Sequence, residues 1–177
     1  LASDGQYLSP KDLDIALKPI REIREALGNS IQIANDGHGK WSLPVAIRIA
    51  QAMEEYEIMW QEDLMPLQNP KALRELQDST KTPVCISERL LSRWQFREFI
   101  ENGSARIVMP DLIWTGGISE THKIAILAST YQVPFAPHDA TGPVNIFACA
   151  QICISSINAM IQEHVPSYYE GWYGDFV

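Results

Sequence analysis

The 177-residue chain is 46% hydrophobic and 20% charged, the balance of a globular protein with a sizeable core and not of a disordered one. Its net charge of −8 argues against a nucleic-acid or anionic-membrane surface, both of which need clustered Lys and Arg. No apolar run reaches the roughly 18 residues of a membrane span.

Cys85, Cys149 and Cys153 fall inside apolar segments with no Cys-x-x-Cys spacing. That disfavours a disulfide framework or a zinc knuckle and fits buried free thiols in a reducing cytoplasm. The chain starts at Leu1 rather than Met and shows no signal-like start, so a processed or incomplete product is expected.

Residues 1–8 read as a loop. Ser9-Pro10 offers an N-cap followed by proline at the first helical position, and Asp12 complements the helix dipole. Leu13, Ala16, Leu17, Ile20, Ile23 and Leu27 continue at helical spacing to a Gly28-Asn29 stop. Pro19, inside this helix, is expected to kink it.

From there strands and helices alternate. A first strand over 31–34 ends at the loop Asp36-Gly37-His38-Gly39, and Ser42 is expected to cap a helix running to about Tyr56. A second strand over 58–61 leads through a loop holding Pro66 to a short helix opened by Asn69-Pro70. A third strand, 84–87, precedes a helix capped by Ser92 and carrying Phe96, Phe99 and Ile100, which Asn102-Gly103 ends.

A fourth strand, 106–109, ends at Pro110-Asp111, and Gly116-Gly117 turns into a helix reaching Tyr131. A fifth, 133–136, ends at Pro137-His138-Asp139 and is followed by a helix from Pro143 to about Ile154. A sixth, 160–162, ends at Glu163.

Alternation with short connections predicts an α/β protein with a parallel sheet, either an open doubly wound sheet or a (β/α)₈ barrel. The strand ends decide between them. Asp36, Glu62, Glu88, Asp111, His138 and Glu163 are all ionisable and all close a strand at its carboxyl end. An open sheet focuses its ligand at one switch point, whereas a barrel gathers residues from many strands at one mouth. The expectation is therefore one domain over residues 1–177, an incomplete (β/α) barrel of about six units with two strands before Leu1.

Three of these acids, Asp36, Glu62 and Glu88, are spaced 26 residues apart, about one strand-loop-helix-loop unit. Carboxylates at equivalent strand ends make the oxygen-rich site that a hard cation such as Mg²⁺ prefers. The alternative for each acid alone is a solvated or capping role. The histidines His38, His122, His138 and His164 are not paired at zinc-site spacings.

His138 with Asp111 one strand earlier suggests a general base whose ring a carboxylate orients; the alternative is a half-buried histidine bonded to backbone. His38, flanked by glycines two residues beyond Asp36, suggests a general acid, the alternative being a solvated loop residue. Glu163 is either a protonated donor to developing negative charge or a salt-bridge partner. Arg89 either buttresses the site or forms a surface pair. Trp60, Trp94, Trp114 and Trp172 suggest packing rather than ligand stacking.

The motifs Asn35-Asp36-Gly37-His38-Gly39, Trp60-Gln61-Glu62-Asp63, Ser87-Glu88-Arg89-Leu90 with Ser92-Arg93-Trp94, Pro110-Asp111 with Gly116-Gly117-Ile118, and Ile161-Gln162-Glu163 together resemble the enolase superfamily. Within it they resemble the mandelate racemase-like acid-sugar dehydratases of galactonate-dehydratase type, over essentially the whole chain from Ser9. The resemblance implies an enolase-type barrel, with Asp36, Glu62 and Glu88 as Mg²⁺ ligands and His138, paired with Asp111, as the base that removes the proton α to a carboxylate. It implies His38 as the acid that expels the β-hydroxyl and Glu163 as the donor to an enolate or carboxylate oxygen.

One feature departs from the family pattern. At the second ligand the usual Glu-Glu-Pro is replaced by Glu62-Asp63-Leu64, with proline delayed to Pro66. The capping domain of the family and the Lys-x-Lys of its racemases are expected to lie before Leu1. Asp111 separates the chain from mannonate-dehydratase relatives, which carry arginine there.

The resulting expectation is a cytoplasmic lyase, a hydro-lyase that uses Mg²⁺ to dehydrate a small-molecule acid sugar. It would be a homo-oligomer with no nucleic-acid or membrane partner. A racemase or epimerase of 2-hydroxy acids, and a non-catalytic barrel that binds without reacting, are the competing expectations.

Overall fold

The computed structural model describes residues 4–165. The chain divides into two units, Leu1–Cys85 and Ile86–Val177.

The first unit opens with helix α1 (Pro10–Leu27). The Ser9 hydroxyl accepts from the Asp12 amide at 3.1 Å and donates to the Asp12 carboxylate at 2.6 Å, closing the N-terminus as its sequence predicts. The helix runs through Pro19 without interruption and ends at Gly28. Arg24 then ties its last turn to neighbouring backbone, donating to the carbonyls of Gly28, Ile31 and Tyr56.

Strands β1 (Ala34–Asp36), β2 (Trp60–Glu62) and β3 (Val84–Ile86) follow, with α2 (Leu43–Met53) and α3 (Pro70–Asp78) between them. Both pairings, β1 with β2 and β2 with β3, are parallel. A 3₁₀ turn over Glu54–Tyr56 ends the segment expected to be one helix to Tyr56. Leu73 and Leu76 of α3 are completely buried, each contributing about 1.5–3 kcal/mol by removal from water. The buried Gln77 pins the turn into β3: its amide nitrogen donates to Thr80 and Thr82 carbonyls while its oxygen accepts from the Val84 amide at 2.7 Å.

The second unit starts at the end of β3 and holds α4 (Arg93–Glu101), β4 (Ile107–Val108), α5 (Leu112–Thr115), α6 (Ile118–Thr130) and α7 (Pro143–Ser155). Phe96, Phe99 and Ile100 on α4 are buried, and α4 packs on α6. An ion pair of Arg93 with Glu120 and an Arg93 amide bond to the same carboxylate join the two helices. Beyond β4 the ladder continues as single parallel bridges, Val108 to Phe135, Asp111 to His138 and Phe135 to Ala159.

Several expectations are corrected. The first two strands start three and two residues later than their apolar runs, because Ile31 is solvent-exposed and pairing starts only where Met59 donates to the Ile33 carbonyl. Asp36 and Glu62 are the last residues of their strands, closing them at the carboxyl end as expected, and Asp36 is not part of the loop that follows. The fifth and sixth strands reduce to bridges at Phe135 and Ala159, and no strand covers 160–162.

Ser42 and Ser92 occupy the N-cap positions of α2 and α4 but make no side-chain cap. At α2 the second helical residue is Pro44, which has no N–H to offer, and the Ser42 hydroxyl is buried without a partner. Helix α5 was not expected. Cys85 and Cys149 are buried thiols outside any disulfide, while Cys153 is only half-buried. Trp172 lies outside the described residues. No helix among the described residues is long and apolar enough to cross a membrane.

Candidate active site

In the first unit the parallel register sets Asp36 directly beside Glu62. Side chains of register partners on adjacent parallel strands share a face, so the two carboxylates are neighbours. Glu62 is buried and accepts a hydrogen bond from the Trp60 indole N–H, Nε1 to Oε2 at 3.1 Å. Asp36 is half-exposed, and its Oδ1 accepts from the His38 amide at 2.7 Å.

The loop that follows is laid tightly against the residues after β2. Gly37 and Gly39 donate to the Glu62 and Asp63 carbonyls, and a Cβ on Gly37 would sit 2.7 Å from Leu64 Cα, so only glycine fits there. His38 itself has a left-handed backbone, φ 51. This turns its ring back to within 3.5 Å of Asp36 Oδ2 while leaving it largely in solvent.

A hard divalent cation suits this donor set. The donors are carboxylate oxygens on adjacent strands, the ligand type such a cation prefers. Among the described residues no group of three or more His, Cys, Asp or Glu side chains is gathered closely enough to hold a metal ion. The third expected ligand, Glu88, lies buried in the second unit, two residues past β3.

In the second unit the Asp111–His138 bridge brings the fourth and fifth strand ends together. Asp111, fully buried, uses both oxygens: Oδ1 accepts from the Ile113 and Trp114 amides and starts α5, while Oδ2 lies 2.8 Å from His138 Nδ1. A carboxylate accepts, so Nδ1 carries the proton and Nε2 is the nitrogen available for chemistry. His138 Nε2 lies 3.5 Å from Glu163 Oε2, which also accepts from the Asp139 amide at 2.8 Å.

Burial pulls the His138 imidazole down, but the Asp111 hydrogen bond and the charges of Glu163, Glu88 and Asp111 outweigh it and raise it from 6.5 to about 9. Burial pushes the Glu163 carboxyl above the usual carboxylate range, against the opposing effects of the Asp139 amide and His138. The result is an imidazole oriented by Asp111 whose Nε2 faces the Glu163 carboxyl, with the imidazolium favoured. Burial and nearby negative charge push the Cys149 thiol up to about 12, which removes it as a nucleophile at neutral pH.

Three residues here were not anticipated. Trp60 was expected only to pack, although its position two before Glu62 puts it on the same strand face. Trp114 is half-exposed, its ring centroid 6.1 Å from that of His138; the signal was Asp111 as N-cap with Gly116 closing a single turn. Asp139, fully buried, accepts from Asn145 at 2.9 Å and so holds the backbone that binds Glu163. Trp94 is exposed, with the Arg93 and Arg97 guanidinium groups over its ring, and Arg89 is exposed.

Residues 4–177 match the family described as Enolase C-terminal domain-like. The chain is 36% identical over 155 residues to the D-galactonate dehydratase of Variovorax paradoxus (strain S110), covering 88% of this chain and 41% of that protein.

Among solved structures, an enolase of the mandelate racemase subgroup from Agrobacterium tumefaciens superposes with a TM-score of 0.93 at 39% identity, over 98% of this chain and 47% of that one. A mandelate racemase/muconate lactonizing enzyme-like protein from Rubrobacter xylanophilus superposes with a TM-score of 0.90 at 35% identity, over 98% and 44%. The chain spans less than half the length of these relatives. Its fold is that of the enolase-type barrel, and it belongs to the Enolase C-terminal domain-like family, in the mandelate racemase-like branch of the enolase superfamily.

Proposed function

We propose that the protein is a Mg²⁺-dependent dehydratase of aldonate-type acid sugars. It removes the proton α to a substrate carboxylate and eliminates the β-hydroxyl as water, leaving a 2-keto-3-deoxy acid. The observation that carries this reading is the Asp111–His138–Glu163 arrangement, with Nδ1 held at 2.8 Å and Nε2 facing a carboxyl at 3.5 Å. The 36% identity to a D-galactonate dehydratase supports the reaction class.

In this reading Asp36, Glu62 and Glu88 hold the cation, supported by their equal 26-residue spacing and by the in-register Asp36–Glu62 pair. A bound divalent cation supplies positive charge beside the substrate carboxylate, which makes the α-proton more acidic. His138 in its neutral form, with the proton on Nδ1, takes that proton at Nε2, and the resulting imidazolium is stabilised by Asp111. Glu163, in its protonated form, donates to the oxygen on which negative charge develops. His38 gives a proton to the departing β-hydroxyl and is reprotonated from solvent, which its exposure allows.

A racemase or epimerase of 2-hydroxy acids would use the same base and return the proton in place of expelling water. The mandelate racemase subgroup assignment of the Agrobacterium tumefaciens structure favours keeping that second reading in the test. The setting of the dehydratase reading is a cytoplasmic homo-oligomer acting on a small molecule, and Cys85 and Cys149, buried thiols in no disulfide, support a reducing compartment.

The test is a screen of the full-length polypeptide against aldonic and uronic acids with Mg²⁺, following 2-keto-3-deoxy acids. Formation of such a product on at least one sugar, lost on chelation, is expected. Inversion of configuration with no keto acid would replace the reading by the racemase, and binding without conversion would replace it by a non-catalytic barrel.

A further inference from the structure

Trp60 and Glu62 stand two apart on β2, so their side chains leave the strand on the same face. Both are buried, and the indole Nε1–H lies 3.1 Å from Glu62 Oε2. Packing fixes the ring plane and therefore fixes the direction from which the hydrogen bond reaches the carboxylate. An indole can only donate, so its partner oxygen is held as an acceptor, the state a cation ligand requires. Asp36 stands in register with Glu62 on β1, and rotation of Glu62 away from that neighbour would break the indole bond.

We infer that Trp60 is a positioning residue that sets the orientation of the Glu62 carboxylate for cation binding. The inference rests on the proposed ligand role of Glu62. Partners of this kind around metal ligands typically change affinity by about 10- to 100-fold when removed, because the ligand must then be ordered at the moment of binding.

The test is calorimetric titration of MgCl₂ into the full-length wild type, Trp60→Phe and Trp94→Phe, the last as a surface tryptophan control. A second variant carries a benzothienyl isostere of tryptophan at position 60, which keeps the ring shape and removes the donor, in case phenylalanine disturbs folding. The expected result is an about 10- to 100-fold higher Mg²⁺ dissociation constant for the position-60 variants and no change for Trp94→Phe. In the wild type, the Trp60 indole ¹H–¹⁵N resonance should shift with Mg²⁺ at the calorimetric midpoint, a signature that a purely structural tryptophan would not give. Wild-type affinity in either folded position-60 variant overturns the inference alone. A wild type that binds no Mg²⁺ overturns the cation site itself, and the inference with it.

Discussion

Replacing Asp111 with Asn changes one atom at the centre of the proposed base and leaves its volume intact. The amide oxygen introduced by Asp111→Asn can still accept from the Ile113 and Trp114 amides and keep α5 capped. The other position then presents an N–H₂ donor to His138 Nδ1 where Oδ2 stood 2.8 Å away. That reverses the tautomer, putting the proton on Nε2 and removing the lone pair that abstracts the substrate proton.

In the wild type His138 is raised from 6.5 to about 9, which favours the imidazolium by roughly two orders of magnitude over a free imidazole. The Asp111 hydrogen bond is the largest raising contribution, with burial opposing it. In Asp111→Asn the His138 titration midpoint, followed by ¹H–¹⁵N NMR without added metal, should fall markedly from about 9. Turnover should drop roughly 10²- to 10⁴-fold, the range for loss of a positioned acid–base group. The sign carries over to stability. Because the folded value lies above the unfolded 6.5, the charged cluster stabilises the fold fully below pH 6.5, and this contribution disappears as pH rises through about 9. The difference in Tm between wild type and Asp111→Asn should narrow over that interval. A variant whose His138 still titrates at the wild-type midpoint would refute the pairing as the source of the shift.

Other perturbations separate the remaining roles. His38→Asn should block formation of the keto acid while leaving exchange of the substrate α-proton with solvent, read by deuterium incorporation; loss of both would contradict a role as acid alone. Glu163→Gln removes a charge 3.5 Å from Nε2, so the His138 midpoint should fall, and an unchanged midpoint would exclude Glu163 from the cluster. Gly37→Ala places a Cβ 2.7 Å from Leu64 Cα; it should cost about 1–3 kcal/mol in urea unfolding and weaken Mg²⁺ binding, whereas wild-type stability would show that the loop can move aside.

Asp36 and Glu62 were legible as strand-closing residues because each ends an apolar run, whereas Glu163 follows a run that pairs only at Ala159. Element boundaries were less legible. The apolar runs at 31–34 and 58–61 mark hydrophobicity, but pairing depends on hydrogen bonds, which place the strands at Ala34–Asp36 and Trp60–Glu62. Helix α5 is a single turn with no periodicity to detect, and only the Asp111 cap and the left-handed Gly116 define it. The Asp36–Glu62 register follows from strand pairing and could be anticipated from equal spacing. The Trp60 indole bond depends on a rotamer, which no spacing encodes.

The fate of the substrate α-proton in D₂O tests His138 as the base most directly. Full-length wild type and His138→Gln would be compared with the aldonate that gives product in the screen, with Mg²⁺ present and ¹H NMR as the readout. The expected result is loss of the α-proton signal together with 2-keto-3-deoxy acid in the wild type, and neither in His138→Gln. Undiminished loss of the α-proton in His138→Gln would contradict it, because the base would then lie elsewhere.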